Sequence, residues 1–479
     1  MRRLLSPSGV ASVWERRLAI LFVIIGSFSL FPVGVSVREN GPYWNEAVAF
    51  SVEQERELGE KVYQAIQSQM EIVQVPSIQV YIDSLGERLV SSASTSEFPI
   101  RFFIIKRSEP NAFAIPGGRI FVTTGLIRLV DSEDELAAVL SHEIAHVVRR
   151  HIAQRIEASK RLNIATLAGA LAGILIGGSG GGAIMAGSLA LGESEKLRYT
   201  RENESESDRL ALSYMDRAGY EGSEMVSFLK KIYRESHHDT AFPPYLSTHP
   251  GIPSRISYLE TLMGGLARPV EVPRSSVGLK DIKLRVFLVE KGPLESLNYF
   301  DRIINTQPNN GDAFFGRALA EKEIGRVKES IEDLKRAHEL KPSDPQILKE
   351  LGLAFLRSGR INEGVRALER SVVLSGRDPE SLHYLGQGYK AQKKFDLAIE
   401  SYVKARALSS DLPELDRDLG SVYKEKGEMG QSHFYYGLYF KRKGEIKYAR
   451  FHFEKALELS AQDPQRQEEI QRELEPLRK

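Results

Sequence analysis

Residues 141–151 have the sequence SHEIAHVVRRH, in which three histidines and one glutamate lie close together. On a helix, residues four apart share a face, so His142 and His146 can direct both imidazoles at one metal ion. Glu143 lies about 100° around the helix, beside that ion but off the ligand axis. This H-E-x-x-H spacing is typical of sites in which two histidines hold zinc and the glutamate accepts a proton from water. A charged helix that is merely rich in histidine is the alternative.

The remaining ligands of such a site are missing from this segment. A catalytic zinc ion needs a third protein ligand and keeps a further position open. The metzincin pattern requires glycine at position 149 and histidine at position 152, where this chain has Arg149 and Ile152. His151 has the wrong spacing to join the pair and is predicted to be a surface or second-layer residue. The chain has no cysteine, so the third ligand must be a histidine, aspartate or glutamate elsewhere.

A second acidic stretch, residues 199–215, runs from charged positions into an apolar helical pattern. Glu204 and Asp208 are four residues apart and share one face of the predicted helix. They are the best candidates to complete the site. A solvated charged helix face is the alternative, and this interpretation applies to Glu202 and Glu206.

Taken together, His142-Glu143-x-x-His146 and Glu204-x-x-x-Asp208 resemble the M48 family of metallopeptidases. The resemblance implies one Zn²⁺ per chain, held by the two histidines and Glu204. It implies that Glu143 is the catalytic base. Asp208 would accept a hydrogen bond from a ligand histidine and fix its tautomer, an arrangement common around protein-bound zinc.

A third segment, residues 247–256, reads STHPGIPSRI and is similar to the His-Pro segment of the same family. The resemblance places His249 near the zinc, where it would either steady the oxyanion or occupy the fourth coordination position. Arg255, six residues later, is assigned to the catalytic site with it. An ordinary histidine in a loop is the alternative.

The elements that position these residues are predicted to be mainly helical. Residues 48–270 form a gluzincin-like α+β metallopeptidase domain with a small hairpin or sheet, built from residues 100–105 and 112–127 with a turn at Pro116, Gly117 and Gly118. The second stretch resembles the family's strand-turn-strand, whose edge would accept an extended peptide. Ser132 and Glu135 form a capping box that begins the H-E-x-x-H helix.

The C-terminal part is a repeat array. Pro345, Pro379 and Pro413 recur at the 34-residue period of tetratricopeptide repeats. Residues 277–461 are therefore predicted to form an α-solenoid, followed by a charged C-terminal tail at 462–479. Gly437 follows Gly420 by half a period, so one helix serves two successive units.

Two apolar stretches bear on localisation. Residues 18–37 are uncharged and follow several arginines, so residues 1–37 are predicted to be a cleaved signal peptide or an N-terminal membrane anchor. The remainder would be periplasmic, or anchored to the inner membrane and facing the periplasm. Residues 164–192 are also uncharged and are interpreted as small-residue helices packed inside the domain, with contact with a membrane surface as the alternative.

The charge balance, 65 basic against 64 acidic residues, gives no field that would recruit nucleic acid. The expected function is a zinc-dependent metalloendopeptidase of the cell envelope. An M48 domain followed by repeats is similar to envelope members of the family, which implies degradation of misfolded or stalled outer-membrane proteins and assistance in their assembly. Unfolded or misassembled proteins would be substrates, and the repeats would dock on the outer-membrane assembly machinery. The alternative is a chaperone or assembly scaffold with a latent peptidase.

Overall fold

An α+β part that carries the H-E-x-x-H helix is followed by a long helical array. The computed structural model describes residues 50–159, 164–176, 200–238, 244–263, 278–376, 378–408 and 413–477, all of which belong to one unit, Ala49–Lys479. The predicted signal or anchor at 1–37 lies outside the described residues. In the described ranges, none of the helices combines the length and apolar character needed to span a bilayer.

The α+β part contains ten helices within the described ranges and three strands. The strands are β1 (Arg101–Ile105), β2 (Ala112–Ile115) and β3 (Arg119–Thr123). The helices are α1 (Val52–Gln69), α2 (Pro76–Ser92), α3 (Thr124–Leu129), α4 (Glu133–Val148), α5 (His151–Ser159), α6 (Ile164–Ile176), α7 (Arg201–Ala218), α8 (Ser223–His238), α9 (Pro244–Thr248) and α10 (Ile252–Met263). The mainly α fold class with a small sheet is thereby confirmed.

The sheet has the order β1-β3-β2, with β1 parallel and β2 antiparallel to β3. The predicted turn between β2 and β3 is present, and Gly117 and Gly118 adopt φ of 81° and 83°, values that glycine tolerates best. Residues 124–127, the end of the predicted β stretch, instead belong to α3. The Thr123 side chain accepts a hydrogen bond from the Leu126 N–H and so begins this helix.

Helix α4 lies in the centre of the domain. Ser132 Oγ accepts from the Glu135 N–H at 3.0 Å, as a capping residue should. In a full capping box, the Glu135 carboxylate would accept from the Ser132 N–H. It instead accepts from Lys231 and from the Asp131 N–H, so only the Ser132 half of the predicted box is present. Every residue from Glu133 to Val147 is buried, which is typical of a helix enclosed by other elements. The core therefore fixes α4, and its histidines, on all sides.

The two faces of the sheet contact different cores. One face, with Ala114 and Val122, packs against α2 and α4. The other face, with Phe113 and Phe121, packs against α1 and α6. Helix α6 carries the first part of the uncharged stretch, and its Leu171 is buried against this second core, in agreement with the packed-helix interpretation. Residues 177–192 of that stretch lie outside the described residues.

The array is a succession of ten helices within the described residues. Its helices are α11 (Leu279–Thr306), α12 (Gly311–Glu323), α13 (Val327–Leu340), α14 (Pro345–Arg357), α15 (Ile361–Ser375), α16 (Pro379–Ala391), α17 (Phe395–Leu408), α18 (Pro413–Lys426), α19 (Met429–Arg442) and α20 (Ile446–Leu459). The repeated prolines open the first helix of their units, where a missing N–H costs no hydrogen bond. The predicted α-solenoid is confirmed.

The half-period shift near the end of the array is visible in the packing. Gly420 on α18 faces the Tyr436 ring on α19, and Gly437 on α19 faces the Phe453 ring on α20. A side chain at either glycine would meet an aromatic ring, so both close approaches need glycine. Helix α19 therefore serves as the second helix of one unit and the first helix of the next.

Helix α11 joins the array to the α+β part. Lys283 Nζ donates to the Val130 carbonyl at 2.7 Å, three residues before α4 begins. Gly292, with φ of 73°, and Pro293 kink α11 at its centre. The residues of α11 that share the core of α2 and α4 precede this kink, and they are Leu279, Ile282 and Val286.

The segment predicted to be a charged tail, 462–479, contains a further helix, α21 (Pro464–Leu474). Asp463 caps this helix through the Arg466 N–H. Ile470 and Leu474 are fully buried in the last apolar cluster of the array. The charged residues occupy the outer face of this helix. Composition alone therefore predicted a charged tail, although two apolar residues at helical spacing form a buried stripe.

Ile470→Ala should lower the thermal midpoint and speed hydrogen exchange in α20 and α21. Replacing a fully buried isoleucine with alanine costs about 2–5 kcal/mol. Gln471→Ala, at the exposed neighbouring position, is the control. Equal exchange rates in the two variants would mean that this segment does not pack on the array.

Candidate metal centre

Helix α4 brings two histidines to one point. His142 Nε2 and His146 Nε2 are 3.0 Å apart, and their side chains are almost completely buried. Both rings therefore present the same nitrogen to a shared space, as the four-residue spacing predicted.

Helix α7 contributes the carboxylate. Thr200 caps it in a capping box with Asn203, which places Glu204 in the first turn. Glu204 Oε2 lies 3.4 Å from His142 Nε2, and Oε1 lies 3.4 Å from His146 Nε2. Glu204 is fully buried, whereas Glu202 on the same helix is exposed, as expected for a solvated position.

The residue after α9 completes the cluster. His249 Nδ1 lies 3.3 Å from His142 Nε2 and 3.2 Å from Glu204 Oε1. The Tyr245 ring stacks on the His249 ring with centroids 4.5 Å apart, which fixes its orientation. His249 is thus placed among the predicted ligand residues.

The ligand atoms of His142, His146, Glu204 and His249 all lie within 4.8 Å of one another. Three imidazoles and one carboxylate form a donor set that suits Zn²⁺, which prefers nitrogen and oxygen ligands in tetrahedral arrangement when thiolates are absent. The residues of this site therefore fit zinc in number and in chemistry.

Ionisation in the cluster also suits a cation. Burial opposes ionisation of Glu204, but His249, Arg255 and hydrogen bonds from the α4 histidines hold its pKa well below the usual range. Burial lowers the pKa of His146. An ionised carboxylate and a neutral imidazole are the states in which these side chains bind metal.

Asp208 and Arg255 surround the ligands. Asp208 Oδ1 lies 2.9 Å from His142 Nδ1, so the carboxylate can accept the Nδ1 proton and leave Nε2 facing the cluster. Arg255 donates to both Asp208 oxygens, at 2.7 and 2.6 Å, and to Glu204 Oε2 at 2.6 Å. Arg255 thereby holds the two carboxylates in place. Burial and Arg255 act to lower the pKa of His142, but Asp208 and Glu204 raise it overall.

His151 has a partner that helix spacing did not predict. Its Nδ1 lies 2.9 Å from His146 Nδ1, and its Nε2 lies 3.2 Å from Glu206 Oε2. His151 is fully buried, so its interpretation as a surface residue is wrong and the second-layer alternative holds. Glu206, interpreted as a solvated acid, is 29% exposed and also pairs with Arg149 at 2.7 Å.

His151 lies against His146 because of a turn between α4 and α5. Arg150 adopts φ of 52°, which is uncommon for a residue with a side chain. Its guanidinium bonds Glu55 at 2.7 Å and the Phe50 carbonyl at 2.9 Å, which stabilises this conformation. The helix therefore ends before His151, and the chain folds this residue back against His146.

Glu143 points to the side of the cluster. Its Oε2 accepts from the Ala114 N–H of β2 at 2.9 Å, and its Oε1 lies 3.3 Å from His249 Nε2. Burial raises the pKa of Glu143 to about 7. A carboxyl group of this kind can accept and return a proton near neutral pH.

Residues 76–263 match the model of peptidase family M48. These residues form an M48 peptidase domain, which confirms the family resemblance.

Among individual proteins, the chain is similar to the beta-barrel assembly-enhancing protease of Escherichia coli K12, with 35% identity over 43% of this chain and 43% of that protein. It is also similar to the mitochondrial metalloendopeptidase OMA1 of Schizosaccharomyces pombe, with 26% identity over 44% of this chain and 61% of that protein. The match thus spans less than half the length of the E. coli relative. A crystal structure of MamA aligns with 40% of this chain and 98% of its own at 21% identity and a TM-score of 0.30.

Proposed function

We propose that this chain is a zinc-dependent metalloendopeptidase. The observation that carries the proposal is the buried cluster of three histidines and Glu204 with Glu143 beside it. His142, His146 and Glu204 would hold one Zn²⁺ per chain. When bound, zinc supplies a Lewis acid that polarises a carbonyl and lowers the pKa of water.

The side chains around the proposed metal position have two kinds of role, which are proton transfer and positioning of the ligands. Glu143 accepts a proton from water and returns it to the leaving amine, while the Ala114 N–H holds its second oxygen in place. Asp208 and Arg255 keep the ligands oriented without contacting substrate, so they are positioning residues. His151 does the same for His146.

Strand β2 is the proposed docking edge for substrate. It pairs with β3 on one side, and α4 and α9 contact it. An extended polypeptide that added to this edge would run beside Glu143, and backbone pairing of this kind is largely independent of side-chain sequence. Unfolded or misassembled proteins, whose backbones are extended, are therefore the proposed substrates.

Activity should be tested directly with purified protein and fluorescently labelled casein. Proteolysis that is lost on treatment with a zinc chelator and restored by equimolar Zn²⁺ would support the proposal. Proteolysis that survives complete removal of zinc would exclude it.

His249 is proposed to be a gate. Its Nδ1 lies within the ligand cluster and its Nε2 lies beside Glu143, so the imidazole would take the fourth coordination position at rest. Substrate would then have to displace it, together with α9 and Tyr245.

If His249 is a gate, His249→Ala should raise casein cleavage several-fold, because the fourth position no longer needs to be opened. If it instead steadies the oxyanion, the same variant should lose about 10²–10³ in turnover. His383→Ala, in the array, controls for the loss of a histidine elsewhere.

The cell envelope is the proposed location, supported by the apolar run at 18–37 and by the similarity to the E. coli relative. The substrates would be misfolded or stalled outer-membrane proteins, and the array would dock on their assembly machinery. Export is tested by fractionating cells that produce the full chain. Retention in the cytoplasmic fraction would exclude this location.

A scaffold that assists assembly through its repeats is the second candidate function. It is favoured by the position of His249 inside the cluster, which would keep the peptidase latent if the imidazole occupied the fourth position. A Glu143→Gln strain that still rescues an envelope defect, combined with loss of rescue when residues 278–477 are deleted, would support it. Failure of the Glu143→Gln strain to rescue would favour the peptidase.

A further inference from the structure

A cavity of about 620 Å³ lies in the array, at the junction of α12, α13 and the residue before α15. It is lined by Glu321 near the end of α12, by Ile331 and Asp333 on α13, and by Arg360. The cavity is remote in sequence from the metal centre and shares no residue with it. Its volume is in the range of sites that accept small molecules or protein side chains.

Glu321 is the unusual residue of this cavity. It is 7% exposed, and its Oε2 has no hydrogen-bond partner in the part of the chain that the structure describes. Burial, with the nearby charges of Asp333 and Glu329, raises the pKa of Glu321 to about 7 against the opposing effect of Arg317. A buried carboxylate without a partner is costly, and it either takes up a proton or acquires a counter-charge.

Two of the three cations that line the cavity, Arg317 and Arg360, are already engaged. Arg317 donates to Asp333 at 2.5 and 2.7 Å and to Asp301 at 2.7 Å. Arg360 donates to Glu363 at 2.7 and 2.5 Å. Two carboxylates thus share the one guanidinium of Arg317. The third cation of the lining, Lys328, is exposed on the rim, so four carboxylates (Glu321, Glu329, Glu332 and Asp333) lie around the cavity against three cations, and negative charge is in excess.

The missing counter-charge is an organic cation rather than a metal ion. Both Asp333 oxygens are taken by Arg317. Besides Glu321, this leaves Glu329 and Glu332 on the exposed rim, whereas a hard metal ion needs about six oxygen ligands. Ile331 offers an apolar wall, which suits the aliphatic stem of a long cationic side chain.

We propose that this cavity binds the lysine or arginine side chain of a polypeptide that lies on the repeat array, with the Glu321 carboxylate as its anchor. The apolar stem lies against Ile331 and the charged group pairs with the Glu321 carboxylate. The site selects for positive charge, independently of the backbone pairing proposed at β2.

The test measures peptide binding by the full-length protein in a Glu143→Gln background, so that cleavage does not consume the probe. The probes are fluorescein-labelled Gly-Ser peptides with a central lysine, arginine or norleucine, followed by fluorescence anisotropy. The lysine and arginine peptides should bind, and Glu321→Gln should weaken them about tenfold, to the level of the norleucine peptide. Glu329→Gln, which alters an exposed carboxylate on the same rim, should leave binding unchanged.

Thermal unfolding separates binding from structure. Glu321→Gln should keep or raise the thermal midpoint, because it removes an uncompensated buried charge. Equal binding of lysine and norleucine peptides would overturn the proposal, as would a Glu321→Gln variant that unfolds earlier but binds normally. Lysine-peptide binding that appears only in Lys328→Ala would also overturn it, because the rim lysine would then be the occupant.

Discussion

Glu143→Gln should reduce casein cleavage by about a thousandfold, the effect expected on removal of a general base. Glutamine has nearly the same shape as glutamate, and its side-chain oxygen can still accept from the Ala114 N–H. It cannot accept a proton from water. The two α4 histidines and Glu204 are untouched, so the variant should retain about one zinc per chain by inductively coupled plasma analysis.

The control for this variant is Glu202→Gln, which makes the same chemical change at an exposed position on α7. Its cleavage rate should equal that of the unmodified protein. Substantial cleavage by Glu143→Gln, with zinc retained, would show that another group performs the proton transfer.

Arg255→Met should destabilise the peptidase domain by about 3–5 kcal/mol, the usual cost of breaking a buried ion pair from one side. Arg255 is 3% exposed and is the common partner of Asp208 and Glu204. Without Arg255, the buried carboxylates of Asp208 and Glu204 on α7 lose their common counter-charge. Zinc affinity should fall about 10- to 100-fold, as for other losses of outer-layer partners.

The measurements are thermal unfolding of the metal-free protein and zinc competition against a chromophoric chelator. Arg209→Met, at an exposed position on α7, is the matched control. If Arg255→Met unfolds at the same temperature as Arg209→Met and binds zinc as tightly, then Arg255 does not organise the site.

Much of the candidate site could be predicted from sequence because it depends on local periodicity. His142 and His146 share a helix face by spacing alone, and the family resemblance supplied Glu204 and His249. The structure brings all four together. Their roles as ligands and as a gate stay predictions.

Two features could not be predicted from sequence because they depend on tertiary contacts: the burial of His151 and the packing of the segment 462–479. His151 was judged by helix spacing, but the left-handed turn at Arg150 ends that helix, and the turn is stabilised by Glu55, some 95 residues earlier in the chain. A charged segment at 462–479 was likewise judged by composition, although Ile470 and Leu474 pack against the array. In both cases a distant element decides which face of the local structure is buried.

The most direct test of the central claim is a crystal structure of the zinc-loaded protein with anomalous data collected at the zinc absorption edge. The peak should lie about 2.0–2.2 Å from His142 Nε2, His146 Nε2 and a Glu204 carboxylate oxygen. A zinc peak elsewhere in the chain, with none among these three side chains, would contradict the account of this protein as a zinc peptidase.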